Sequence, residues 1–92
     1  KHGNSVYAAF DGRVVEVKKS SKGYGNTIKI VHENGLVTLY AHLSAFSVKK
    51  GDVICKGKII GEIGTTGNAT GPHLHFEIIE NKKKINPLKY LL

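Results

Sequence analysis

Three polar residues recur at alternate positions late in the chain: His73, His75 and Glu77, with Leu74, Phe76 and Ile78 interleaved. Side chains alternate across a strand, so the pattern predicts one face seated on a core and two imidazoles and a carboxylate on the other. The two imidazoles would stand roughly 6–7 Å apart at the backbone, which suits a metal site or an acid–base pair. Glu77 shares that face and could orient an imidazole by a hydrogen bond. A strand carboxylate running out into solvent is the competing reading. The glycine-rich approach from Gly64 to Pro72 would let an extended ligand come close to the backbone.

A second stretch repeats the logic. From Leu36 to Leu43 the residues Leu36, Thr38, Tyr40 and His42 share one face, and Val37, Leu39, Ala41 and Leu43 share the other. The apolar set marks the expected core side, which leaves His42 facing outward with Tyr40 beside it. Two strands that both present histidine on a non-core face predict a shared cleft. His32 precedes a turn and reads as structural, and His2 as a bystander near the start. Asp11 and Asp52 belong to turns. A catalytic zinc wants about three protein ligands and an open position. The histidine face supplies one or two, so either further ligands precede Lys1 or the site holds no metal.

The elements that must position these residues are strands. Asp11-Gly12 and Asn34-Gly35 are hairpin-turn dipeptides, and the residues from Ser20 to Asn26 form a loop by composition. Val15 and Val17 alternate against Val14, Glu16 and Lys18, and Ile28 and Ile30 mark the next strand. From Val48 to Gly64 the chain is a series of short strands punctuated by glycine, as at the corners of a barrel or sandwich. No helical period of useful length is present, so the predicted fold is all-β. Cys55 follows Val53-Ile54 and reads as a small buried or half-buried side chain. As the lone cysteine it excludes an internal disulfide and a cysteine-rich zinc site.

Ninety-two residues suit one small domain. The start at Lys1-His2-Gly3-Asn4, without methionine, reads as a fragment or processed piece of something longer, and the chain itself carries no targeting signal. A formal net charge of +7 favours anionic partners such as a cell-wall or membrane surface. The lysines have no interleaved aromatics, which argues against specific nucleic-acid binding.

Tyr40-Ala41-His42-Leu43-Ser44 and Gly64-Thr65-Thr66-Gly67 leading to Gly71-Pro72-His73-Leu74-His75-Phe76-Glu77 resemble two motifs of the LytM/lysostaphin-type zinc peptidases. The resemblance also runs through Asp11-Gly12-Arg13-Val14, Gly23-Tyr24-Gly25-Asn26 and Val48-Lys49-Lys50-Gly51-Asp52. It implies a small, mostly antiparallel sheet or barrel-sandwich of the duplicated-hybrid, lysostaphin-like type, with a sheet-floored groove. It implies a zinc-dependent endopeptidase of peptidoglycan cross-links or stem peptides, located in the bacterial cell envelope. His75 would be a zinc ligand, His42 and His73 the catalytic pair, with Tyr40 and Glu77 as candidate supporting residues. The remaining ligands would come from a His-x-x-x-Asp motif upstream of Lys1. The 92 residues therefore read as one LytM-type domain truncated on its N-terminal side and inactive alone. A non-catalytic module that binds peptidoglycan or activates another hydrolase is the alternative. A lipoyl- or biotin-carrier-like domain would leave the three histidines unexplained.

Overall fold

A computed structural model describes residues 4–64, 74–80 and 83–85. They form nine strands: β1 Ser5–Tyr7, β2 Gly12–Lys18, β3 Thr27–Val31, β4 Val37–Ala41, β5 Leu43–Phe46, β6 Val53–Ile54, β7 Ile59–Ile63, β8 His75–Glu80 and β9 Lys83–Ile85. All pairings are antiparallel, in one sheet of order β1-β7-β5 and one of order β6-β2-β3-β4-β8-β9. Among the described residues the only helical element is a 3-10 turn at Glu33–Gly35. The all-β expectation holds, in its antiparallel, two-sheet form.

Both sheets share one core. Val6, Leu43 and Ile60 enter it from the smaller sheet, and Val14, Ile28, Ile30, Tyr40 and Ile54 from the larger. Fully burying an aliphatic side chain of this size contributes about 1.5–3 kcal/mol. Such burial is what selects the sheet faces.

Five local readings need correction. The strand expected to run unbroken from Leu36 to Leu43 is two strands in different sheets, β4 and β5, with His42 at the corner between them. Thr38 and Tyr40, taken as outward, face the core: both are essentially fully buried, and Tyr40 pairs with Ile28 and Phe76. The apolar alternation misled because Leu39 and Ala41 are also buried, so both faces of β4 are covered. In β2 a register shift between Val14 and Glu16 puts Val14 and Val17 together on the core and leaves Val15 exposed. Bulges of this kind defeat simple alternation.

Asp11-Gly12 is not a hairpin turn. The chain there crosses from β1 in one sheet to β2 in the other, and Asp11 Oδ1 accepts the Lys56 N–H at 2.7 Å. Asn34-Gly35 does close a hairpin, between β3 and β4, with Gly35 at φ +74°. Cys55 is exposed rather than buried, because the chain leaves β6 there for the turn at Lys56-Gly57.

Candidate active site

The face of the larger sheet turned away from the core carries the row Lys29, Leu39 and Glu77 and, beside it, the pair Ala41 and His75. The loop between β2 and β3 arches over this face and brings Tyr24 onto it. His75 Nε2 lies 2.7 Å from Glu77 Oε2, and the Tyr24 hydroxyl donates to that same carboxylate oxygen. The Tyr24 ring stacks on the His75 ring, with centroids 5.0 Å apart at 25°. Glu77 is buried while His75 keeps about two fifths of its side chain exposed. An ionised carboxylate can only accept, so in the neutral ring this contact favours a proton on Nε2 and a lone pair on Nδ1.

His42 joins His75 by a backbone device. Strand alternation would send its side chain with Tyr40 into the core, but His42 has φ +62°, the left-handed region. Its ring meets His75 edge-on, with centroids 6.0 Å apart at 73°, and the residue is buried. The corner is pinned on both sides. His42 N–H donates to the Tyr24 carbonyl at 2.9 Å, and its own carbonyl accepts from Gly64 N–H at 3.0 Å. Asn26 holds the next residue twice: its carbonyl accepts Leu43 N–H at 3.1 Å, and its amide Nδ2 donates to the Leu43 carbonyl at 3.0 Å.

His42, His75 and Glu77 are thus brought together. His73 lies outside the described residues, as does His2. Tyr40 is on the other side of the sheet: its hydroxyl accepts the Ala9 N–H at 2.9 Å and its ring packs on Phe76. Burial pushes its phenol above the ordinary 10.0, against hydrogen bonds with Thr38 and Ala9 that hold it down. It braces the sheet beneath the site, on the face opposite His75. His32 is structural as expected, its Nδ1 donating to the Asp11 carbonyl at 2.5 Å and its Nε2 lying 2.8 Å from Thr38 Oγ1. Tyr24 is the residue that sequence reasoning left in a loop. A large aromatic flanked by glycines in an otherwise polar stretch was the signal for it.

Imidazole nitrogen held by a carboxylate is a typical zinc donor arrangement, and His75 fits it. Among the described residues, however, no group of three or more His, Cys, Asp or Glu could hold a metal ion. Past Tyr24 the face continues into a cavity of about 380 Å³ floored by Thr27 and Leu39 and edged by Lys18, Lys22 and Lys29. Lys29 is paired with Glu16 at 3.5 Å, so Lys18 and Lys22 dominate its charge.

The chain belongs to peptidase family M23, whose model matches residues 1–87. It is 49% identical over 90 residues to the DD-carboxypeptidase/endopeptidase Mpg of Neisseria meningitidis, covering 98% of this chain and 20% of that protein. It is 42% identical over 87 residues to the peptidoglycan DD-endopeptidase ShyA of Vibrio cholerae, covering 95% of this chain and 20% of that protein. The chain therefore spans about a fifth of the length of these curated relatives. Among solved structures it resembles the catalytic domain of lysostaphin from Staphylococcus simulans, with a TM-score of 0.91 and 38% identity over 99% of this chain and 72% of that one. It also resembles a zinc-containing peptidase from Vibrio cholerae, with a TM-score of 0.88 and 39% identity over 92% of this chain and 26% of that one. The lysostaphin-type resemblance read from the motifs is thereby established.

Proposed function

We propose that this chain is the catalytic part of a zinc-dependent endopeptidase that hydrolyses peptide bonds in bacterial peptidoglycan cross-links or stem peptides, in the cell envelope. The observation that carries the reading is the convergence of His42, from the corner between the two sheets, and His75, from β8 of the larger sheet, onto one face beside an open cavity. Kinship with peptidases named for this activity supports it.

Zinc, when bound, would polarise the scissile carbonyl and lower the pKa of a bound water toward neutrality. His75 would hold it through Nδ1, the nitrogen not committed to Glu77. We assign two further ligands to a His-x-x-x-Asp pair preceding Lys1 in the parent protein. His42 and His73 are the acid–base pair: one takes a proton from the attacking water, and the other hydrogen-bonds the developing oxyanion. Burial of His42 strengthens any hydrogen bond that it makes there. Lys18 and Lys22 at the cavity edge suit a substrate that carries carboxylates, as stem peptides do.

The test uses the parent protein, assayed for bound zinc and for cutting of purified peptidoglycan. His42→Ala should abolish cutting and keep the metal, whereas His75→Ala should lose both. A parent that holds no zinc and cuts nothing would defeat the reading and leave a binding or hydrolase-activating module.

A further inference from the structure

We infer that Tyr24 is a positioning residue that sets which nitrogen of His75 is protonated and ties that choice to the placement of His42. Its three groups each do one part of this. The hydroxyl donates to Glu77 Oε2, the oxygen that also faces His75 Nε2 at 2.7 Å. The ring lies nearly parallel on the imidazole, at 25°, and limits its rotation. The backbone carbonyl accepts the His42 N–H at 2.9 Å and so fixes the left-handed corner.

The reason Tyr24 is needed is geometric. Glu77 and His75 are two positions apart on one strand, and a glutamate there has three rotatable side-chain bonds with which to turn elsewhere. A donor from a separate loop holds its oxygen where Nε2 can reach it. With Nε2–H thus engaged, the ring presents Nδ1 as its lone pair. Partners of this kind typically change metal affinity 10–100-fold when removed. The use made of Nδ1 rests on the hydrolase reading, but the protonation pattern does not, and it can be measured without metal.

The experiment is nitrogen-15 NMR of the imidazoles in the metal-free 92-residue chain, with solvent exchange measured at the His75 Nε2–H. The intact protein should show a protected, carboxylate-bonded Nε2–H. Tyr24→Phe keeps the stack and loses the donor, so exchange at that proton should quicken about tenfold while the β8 amide signals stay in place. Glu77→Gln should do the same and decides the matter if Tyr24→Phe does not fold. Zinc affinity of the parent protein should fall about tenfold in both variants. Unchanged exchange at Nε2–H in a folded Tyr24→Phe, or in Glu77→Gln should that be the only one to fold, overturns the proposal. So does a wild-type His75 protonated mainly at Nδ1.

Discussion

His42 reaches His75 because its backbone turns left-handed at the corner where the chain passes from one sheet to the other. A residue with a Cβ accepts roughly 1–2 kcal/mol of strain there, which glycine does not. Removing the ring in two ways isolates that strain. His42→Gly should be more stable than His42→Ala by about 1 kcal/mol in urea unfolding, the reverse of the usual order in a strand. Both should be inactive in the parent protein. An alanine variant as stable as the glycine one would show that the corner is not strained.

Much of this could be read from sequence, and what could not has a common cause. His75 and Glu77 were legible because the rule of two applies to a regular strand, and β8 is one. His42 was placed correctly for a wrong reason. The alternation that seemed to turn it outward also turned Tyr40 and Thr38 outward, and those two are core. A single positive φ reversed His42 alone, and no periodicity reports a dihedral angle. Val15 escaped for a similar reason, since a one-residue bulge shifts every face after it. Tyr24 acts across 53 positions of sequence on Glu77, a separation at which local pattern carries no information.

Gly64 stands against the same corner. A Cβ there would lie 2.6 Å from Ser44 Cβ and 2.7 Å from Ser44 N, inside contact distance. The Ser44 backbone cannot yield without moving His42, whose carbonyl accepts the Gly64 N–H. Gly64→Ala should therefore cost about 1–3 kcal/mol in denaturant unfolding. It should also shift the ring signals of His42 in an NMR spectrum. Retained stability with unmoved His42 signals would mean that the two segments have slack between them.

The lysines at the cavity edge should act on substrate binding more than on chemistry. Lys18→Ala combined with Lys22→Ala should raise KM about fivefold for a carboxylate-bearing stem peptide in the parent protein, from the sub-kilocalorie worth of exposed charge contacts. The value of kcat should stay within about twofold, and the difference should shrink at high salt. An equal loss with a substrate whose carboxylates are amidated would show that the lysines act on something other than those charges.

Tyr40 gives the fold a sensitivity to alkali. Its phenol is raised in the folded state, chiefly by burial, so the native protein holds that proton more tightly than the unfolded chain does. The contribution is fully present below the unfolded value near 10 and is lost as pH rises from there through the folded value. Denaturant midpoints should consequently fall above about pH 10, and part of the fall should vanish in Tyr40→Phe. Because other groups titrate in the same range, the difference between the two proteins is the quantity to compare. At neutral pH that variant should be less stable by about 1–2 kcal/mol, since the Ala9 N–H loses its acceptor. If the two alkaline limbs run parallel, the phenol titrates alike in the folded and unfolded states, and its burial does not govern the alkaline response.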